Sequence, residues 1–255
     1  MRIVREIAMA RAWTRTRMVL HAAAVAIGGR GVLIAGPKRA GKSSLLIHCL
    51  RAPGAAYVSN DRTLLSLAGP VPTGRGMPAI VSVRRGTLDL FPELSRSVAR
   101  HKYQAHLTMA ECEAGSTTPA MPPEDGDAKV SPAQLCRLLH VPMAGEVAVG
   151  ALVLPRVDLG SSGMGVHPLS PDEAERRFEA VIFAAASEVR VSDVFRPQRG
   201  RLMGDLGDAG ALWSRLTRRV PAFECRIGRG AFDELPEPTV LRPILRTLDT
   251  QPAPS

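Results

Sequence analysis

Residues 18–43 read MVLHAAAVAIGGRGVLIAGPKRAGKS, and this stretch decides the fold. Two apolar segments, residues 18–27 and 31–35, flank the pair Gly28-Gly29. Small and β-branched residues dominate both segments, as they do in strands. A two-residue glycine turn between two such segments predicts a β-hairpin. The stretch therefore predicts a pair of antiparallel strands that leads directly into the glycine-rich residues beyond.

Those glycine-rich residues, 36–43, match the pattern G-x-x-x-x-G-K-S without a mismatch. A predicted strand precedes them and a predicted helix, residues 43–51, follows them, which is the context of a phosphate-binding loop. Glycines let consecutive N–H groups turn inward toward a phosphate, and the start of the helix adds its positive end. We therefore predict that ATP is the cofactor and that it contacts Gly36, Pro37, Lys38, Arg39, Ala40, Gly41, Lys42, Ser43 and Ser44.

Four side chains are candidates for the chemistry at this loop. Lys42 is placed to reach the β- and γ-phosphates, and the Ser43 hydroxyl is placed to complete a Mg²⁺ shell. Asp61 follows a short predicted strand, where a carboxylate is suited to hold Mg²⁺ or to accept the proton of an attacking hydroxyl. His21 lies opposite the first loop glycine if the numbers of paired hairpin residues sum to about 57. A turn cap at Asp61 and a structural role for His21 stay open as alternatives.

The chain lacks the further motifs of two common nucleotide-binding classes. It contains no N-K-x-D segment, which a GTPase would need to read its base. It also lacks the Gly-rich signature and the strand ending in Asp-Glu that a transport ATPase would need. The remaining hypotheses are a kinase and a nucleotide-binding regulator without turnover.

Beyond the loop, strands and helices alternate, which predicts one α/β domain over residues 1–235, followed by a Pro-rich tail over 236–255. Capping boxes that begin at Ser131 and Ser170 predict the starts of two helices. A segment rich in Gly, Ser, Thr, Pro and acid predicts a mobile loop over about 111–130. The other predicted strands are 56–59, 80–83, 87–91, 147–154 and 222–227, and the predicted helices are 132–139, 171–186 and 211–219.

Three arginines are candidates for binding an acidic or phosphorylated substrate. Arg84 and Arg85 lie in a predicted turn between two strands, for which a solvated turn is the alternative. Arg156 stands at the end of the predicted central strand, where open α/β sheets bind ligands. The glycines of residues 160–165 are interpreted as a flexible surface loop, since no helix begins directly after them.

Net charge is the unusual property of the composition. The chain has 255 residues, 45% of them apolar, which excludes a disordered or fibrous protein. The net charge of +9 lies wholly within residues 1–60, and part of it belongs to the predicted phosphate loop. A nucleic-acid binder that uses Arg11, Arg15 and Arg17 is a rival hypothesis. It is disfavoured because only Trp13 lies nearby to stack on a base.

Cysteine usage and hydropathy predict a cytoplasmic protein with no membrane partner. The four cysteines are widely spaced and are interpreted as buried or free thiols. His101, His106 and Cys112 lack the spacing of a zinc site. The longest apolar stretch, residues 18–27, is too short to cross a bilayer, and no signal-peptide pattern is found.

About residues 18–67 resemble the catalytic domain of the bacterial HPr serine kinases. Their relatives include small stand-alone kinases found beside genes for ribosomally made peptides, including lasso peptides. The resemblance implies a fold related to phosphoenolpyruvate carboxykinase, with the phosphate loop in a mixed sheet, and it implies a homo-oligomer. It is carried by Leu20-His21-Ala22, the Gly-Gly turn, the sequence GVLIAG at 31–36, the loop itself, and Tyr57-Val-Ser-Asn60-Asp61.

The resemblance also implies roles for single residues. Lys42 and Ser43 match the family's phosphate and Mg²⁺ groups, and His21 matches its histidine. Asp61 matches the second of two adjacent aspartates, and Asn60 stands in place of the first. One carboxylate must then serve as the catalytic base, the metal ligand or both. The family's long Gly-rich signature is not recognisable here, which argues against HPr itself as the substrate.

We hypothesise a kinase that transfers the γ-phosphate of Mg-ATP to a hydroxyl, with a Ser on a peptide or protein as the acceptor. In this hypothesis Asp61 activates the hydroxyl, and His21 or an arginine stabilises the developing charge. The alternatives are a kinase for an amino acid or a sugar, and a nucleotide-binding regulator.

Overall fold

A mixed β-sheet with helices on both of its faces forms the body of the protein. Within the described residues, nine strands join this sheet and two further strands pair beside it. This is the α/β architecture that the alternation of elements predicts. The computed structural model describes residues 12, 16–77, 79–100, 128–177, 209–233 and 241–249.

The elements are numbered in chain order. The strands are β1 (Arg17–Leu20), β2 (Ala22–Ile27), β3 (Arg30–Ala35), β4 (Ala56–Ser59), β5 (Thr63–Ser66), β6 (Thr73–Gly76), β7 (Val81–Val83), β8 (Ala128–Val130), β9 (Glu146–Ser162), β10 (Met164–Leu169) and β11 (Ala222–Arg229). The helices are α1 (Lys42–Leu50), α2 (Arg85–Leu88), α3 (Pro92–Arg100), α4 (Pro132–Leu139), α5 (Pro171–Glu175), α6 (Ala209–Thr217) and α7 (Leu241–Asp249). In the large sheet the order is β1-β5-β6-β9-β3-β2-β4, and β11 pairs with both β9 and β10.

The predicted hairpin forms with the predicted register. Antiparallel β2 and β3 pair from Ala22 with Ala35 to Ile27 with Arg30. Gly28 and Gly29 make the turn with φ values of 57° and 78°, a left-handed conformation that glycine adopts without steric cost. The apolar stretch 18–27 is nevertheless two strands, because the chain bends at its histidine and the first part, β1, pairs with β5 instead.

Strand β9 is the hub of the sheet. It pairs in antiparallel fashion with β6 near its start, in parallel with β3, and in parallel with β11 further on. The predicted strand at 147–154 is therefore too short, since β9 continues to Ser162. Pairing with β11 sustains this extension, in which the polar residues Arg156 and Asp158 alternate with Val157 and Leu159, two exposed apolar residues.

Two hydrophobic clusters cover the opposite faces of the sheet. Ile34 belongs to the cluster that contains the apolar side of α1, and its neighbour Leu33 belongs to the other cluster. This division follows from the alternation of side chains along a strand. In the second cluster Trp213 of α6 is fully buried, and its indole N–H donates to the Ala174 carbonyl of α5 at 3.0 Å. The sheet is thus covered on both faces and positions the loops at its ends.

The prediction of a second strand at 87–91 is wrong, because the chain forms α2 there. Thr87 and Leu88 are buried on this helix, and Phe91 directly after it is fully buried. Burial of Leu88 and Phe91 in the core and the hydrogen bond of Thr87 to Ser44 outweigh the preference of these residues for strands. Arg84 and Arg85 consequently lie at the start of a helix and not in a hairpin turn.

The prediction of a flexible loop at 160–165 is also wrong. β9 runs to Ser162 and β10 begins at Met164, with Gly163 between them at a φ of 69°. The N–H of Gly163 donates to the Arg229 carbonyl at 2.8 Å, and the Gly163 carbonyl accepts from Gly228 at 2.9 Å. The segment is a hydrogen-bonded reversal at the edge of the sheet.

Both predicted capping boxes are present, at Ser131 and at Ser170. The described part of the second helix ends at Glu175, and residues 178–186 of that prediction lie outside the described residues. Of the predicted mobile loop, residues 128–130 form β8, and the remainder lies outside the described residues. The segment predicted as a Pro-rich tail contains α7, whose Ile244 is 1% exposed and joins the core.

Three of the cysteines, Cys49, Cys136 and Cys225, are buried free thiols, as predicted. Cys112 lies outside the described residues, as do His101 and His106. None of the described helices has the length and apolar character that crossing a membrane requires.

Candidate functional site

Residues 36–43, called the glycine loop below, connect the end of β3 to the start of α1. Arg39 and Gly41 have left-handed backbones, with φ values of 71° and 96°, and they turn the chain so that α1 begins at Lys42. The first N–H groups of a helix have no partner within the helix, so this end of α1 can offer them to an anion. The exposed residues of the loop are Pro37, Lys38 and Arg39.

Lys42 is buried inside the glycine loop, with 7% of its surface exposed. Its Nζ atom donates to the carbonyl oxygens of Gly36 at 2.8 Å and of Pro37 at 2.9 Å. Burial lowers the pKa of Lys42 to about 8, the charge of Asp61 opposes this shift, and the charge of Arg84 adds to it. An ammonium has three N–H donors, so one remains for a further acceptor.

Asp61 lies beside this lysine and contacts His21. The Oδ1 atom of Asp61 is 3.1 Å from Nε2 of His21, and its Oδ2 atom is 3.9 Å from Nε of Arg62. Burial acts to raise the pKa of Asp61, but the hydrogen bond from His21 and the charges of His21, Arg62 and Lys42 outweigh it. The pKa of the carboxyl therefore lies below its usual range, and Asp61 is an anion at neutral pH.

Two buried hydroxyls, those of Ser59 and Thr63, hold the turn that carries Asp61 against β2. The Thr63 hydroxyl donates to the Ala22 carbonyl at 2.9 Å, and it lies 2.6 Å from the Ser59 hydroxyl. Ser59 in turn donates to the same carbonyl at 3.5 Å. Ala22 directly follows His21, so this buried cluster fixes the distance between His21 and the turn.

Asn60 is buried, and its amide side chain does not act as an acid. The Tyr57 hydroxyl donates to Oδ1 of Asn60 at 2.9 Å. Burial raises the pKa of Tyr57 above its ordinary value, and nearby acidic groups add to the shift, so the phenol stays a donor. An amide accepts this hydrogen bond without placing a second negative charge beside Asp61.

Helix α2 is attached to the first turn of α1. The Ser44 hydroxyl lies 3.2 Å from the Thr87 hydroxyl, and both side chains are buried. This bond places Arg84, the residue before α2, close enough for its charge to act on Lys42. Ser44, predicted to contact the nucleotide, thus uses its side chain to hold α2, and only its N–H remains to face the loop.

The other two predicted substrate arginines lie elsewhere. Nε of Arg85 is 3.0 Å from Oδ1 of Asp89, an exposed ion pair along the helix. Arg156 lies within β9 and not at its end, and it is in register with Arg226 of β11. Side chains alternate along a strand, and Val157 faces the glycine loop, so Arg156 points to the opposite face.

The extension of β9 and strand β11 form a wall against the glycine loop. A Cβ atom added to Gly36 would lie 3.7 Å from Cδ of Pro155, and one added to Gly41 would lie 2.7 Å from Cδ1 of Ile227. A Cβ atom at position 41 would thus clash with β11, whereas one at position 36 would make an ordinary contact with β9. Ile227 was missed by the sequence analysis, because nothing local links a residue of β11 to the loop.

The donors that a divalent cation would find at the loop are few. Among the described residues, no group of three or more His, Cys, Asp or Glu side chains is arranged to hold a metal. Ser43 at the start of α1 and Asp61 are the predicted ligands. Mg²⁺ commonly binds one or two protein ligands together with substrate phosphates and water, so this donor set fits Mg²⁺ that arrives with a nucleotide.

Comparison with known proteins assigns no family to the chain. A scan against protein-family models gave no match, and a search of curated proteins gave none either. The geometry of the glycine loop with His21, Asp61 and Arg84 therefore carries the functional interpretation.

Proposed function

We propose that the protein is a cytoplasmic, ATP-dependent kinase that transfers a phosphoryl group to the hydroxyl of a serine on a peptide or protein. The observation that supports this most is the placement of an ionised carboxylate, Asp61, beside the buried ammonium of Lys42 at the glycine loop. A phosphate cradle and a base for the acceptor hydroxyl are the parts that phosphoryl transfer requires.

The fold that we propose is that of an HPr kinase-like P-loop protein. The antiparallel hairpin β2–β3 that leads into the loop supports this assignment, as does the mixed sheet around β3. In wholly parallel sheets the strand before such a loop has no antiparallel neighbour, so the pairing favours the mixed type.

In this proposal each residue of the site has a separate role. Lys42 and the N–H groups at the start of α1 bind the phosphates, and Ser43 and Asp61 face the cation. Ser43 and Asp61 would hold Mg²⁺, which would offset the negative charge of the phosphates. Asp61 accepts the proton from the acceptor hydroxyl, and His21 holds Asp61 in position through the contact at 3.1 Å.

The experiment has a binding arm and a transfer arm. Calorimetry with Mg-ATP is expected to show binding by the native protein and a loss of affinity in Lys42→Ala. Transfer of labelled γ-phosphate to serine-containing peptides is expected for the native protein and not for Asp61→Asn, which should still bind Mg-ATP. Near-native transfer by Asp61→Asn would overturn the mechanism, and equal ATP affinity in Lys42→Ala would overturn the loop assignment.

Asn60 favours a second candidate, a nucleotide-binding regulator without turnover. Its amide is engaged by Tyr57 and supplies no second carboxylate to the site. Binding of Mg-ATP with no release of ADP in the presence of peptides, amino acids and sugars would support this candidate. Transfer to an amino acid or a sugar alone would instead identify a small-molecule kinase.

A further inference from the structure

Arg84 is fixed in place by the residues on either side of it. Val83 before it is 1% exposed and belongs to the core. The Arg84 carbonyl accepts hydrogen bonds from the N–H groups of Thr87 at 2.9 Å and Leu88 at 3.0 Å. Because Thr87 also bonds to Ser44, the backbone of Arg84 is held beside the first turn of α1. These anchors position the backbone of Arg84 before any ligand binds.

Arg84 has no carboxylate partner among the residues that the structure describes. Its side chain is exposed, and among the residues that the structure describes no carboxylate lies within 4.0 Å of its guanidinium. The adjacent Arg85, by contrast, is paired with Asp89 at 3.0 Å. The charge of Arg84 acts on the Lys42 ammonium, and like charges held this way repel. An anion that contacts both side chains would convert this repulsion into two attractions.

We propose that Arg84 binds the terminal phosphate of the nucleotide, the group that is transferred. This inference rests on the proposed function of the glycine loop. The planar guanidinium offers paired N–H donors that match two oxygens of one phosphate. Arg84 is then a catalytic residue, because it contacts the reacting group.

The phosphoryl transfer in which Arg84 acts needs no reactant other than ATP and the acceptor hydroxyl. The acceptor oxygen forms a bond to the γ-phosphorus, and the bond from that phosphorus to the β–γ bridging oxygen breaks. The bond's electron pair leaves with ADP, and the acceptor's proton passes to Asp61. Negative charge on the γ-phosphoryl oxygens is exposed during this step, and Arg84 donates N–H groups to them.

The test compares ATP with ADP, so it needs no known acceptor. Calorimetry measures the Kd values of Mg-ATP and Mg-ADP for the native protein, Arg84→Ala, Arg84→Lys and the matched control Arg85→Ala. Arg84→Ala is expected to weaken Mg-ATP binding by about tenfold or more and to leave Mg-ADP binding nearly unchanged. The Mg-ATP affinity of Arg84→Lys should lie between those of the native protein and Arg84→Ala. An ammonium keeps the positive charge but lacks the paired N–H donors of a guanidinium. Arg85→Ala should change neither value.

The outcomes separate this inference from the function on which it rests. Equal losses for ATP and ADP in Arg84→Ala, or no loss for either, would overturn the role of Arg84 while leaving the kinase proposal standing. Failure of the native protein to bind either nucleotide would overturn the proposed function and the inference with it. Thermal unfolding of each variant shows that it is folded, and Arg84→Lys supplies the second variant.

Discussion

The Nε2 atom of His21 lies 3.1 Å from the Oδ1 atom of Asp61, so the residue that separates β1 from β2 contacts the turn that follows β4. The contact is made across two neighbouring strands, since β2 and β4 pair with each other in antiparallel fashion. It joins the start of the hairpin to the only acid assigned to the site, and it helps to lower the pKa of that acid.

Replacing His21 is expected to make Asp61 easier to protonate. Burial acts to raise the pKa of Asp61, and the hydrogen bond and charge of His21 are the first effects that oppose it. In His21→Ala the pKa of Asp61 should therefore rise, and any acid limb of the activity should move to higher pH. Titration of the Asp61 carboxyl carbon by NMR measures this shift. The control His167→Ala, at an exposed site on β10, should leave the titration unchanged.

The lowered pKa of Asp61 also predicts how the stability of the fold depends on pH. A carboxyl with a lowered folded-state pKa stabilises the fold above its ordinary pKa, and this contribution is lost as the pH falls through the folded value. Native protein should thus lose more stability on acidification than Asp61→Asn does. Parallel acid-unfolding curves for the two proteins would contradict the assigned direction.

Nucleotide affinity is expected to depend on the ionisation of Lys42. Burial lowers the pKa of Lys42 to about 8, and only the ammonium form attracts phosphate. Affinity for Mg-ATP should therefore fall above that pH, by up to about tenfold per pH unit. Calorimetry between about pH 7 and pH 10 measures the slope. The residual affinity of Lys42→Met should show no such slope, because methionine does not titrate, and an equal slope in both proteins would contradict this role.

Glycine at position 76 is expected to be required for the geometry beside Asp61. A Cβ atom added to Gly76 would lie 2.0 Å from the Val58 carbonyl oxygen, a backbone atom that cannot move alone. Gly76→Ala should destabilise the fold by about 3 kcal/mol, as overpacked substitutions do. Denaturant unfolding measures this against Gly145→Ala, where an added Cβ would meet nothing within 4 Å. Equal midpoints for the two variants would show that β4 and β6 can separate freely.

Ser44 and Thr87 are expected to be energetically coupled through their hydrogen bond. Both hydroxyls are buried 3.2 Å apart, so removal of one leaves the other without its partner. Each of Ser44→Ala and Thr87→Val should cost about 1–3 kcal/mol of unfolding free energy, and the double variant should cost less than their sum. Chemical denaturation of the four proteins measures the coupling. Additive losses would mean that α2 is held to α1 by apolar packing alone.

Local sequence signals predicted the parts of the fold that local interactions determine. The pairing of Ala22 with Ala35 follows from a glycine turn, because a two-residue turn leaves one register open to the strands. The helix starts at Ser131 and Ser170 follow from side chains that bond to N–H groups three residues on. The same register predicted His21 opposite Gly36, but the contact of His21 with Asp61 was not predicted.

Partners distant in the sequence determine the parts that the prediction missed. The extension of β9 past Leu154 begins with a proline and mixes polar with apolar residues, and it is a strand because β11 pairs with it. Thr87 and Leu88 favour a strand by composition, but the core and Ser44 hold them in a helix. The position of Arg84 depends on helix α2. The sequence therefore indicated a basic residue at this position but not its proximity to Lys42.

The close approach of Gly41 to Ile227 has a consequence for the order of folding. The hairpin and α1 are local and can form while the chain is still being synthesised, but the strands that support the loop come from the far end of the sequence. Contacts between distant segments carry the entropy of closing a long loop and form slowly. A nascent chain therefore lacks the contact between Gly41 and Ile227 until β11 has been made, and the full support of the glycine loop is acquired late in synthesis.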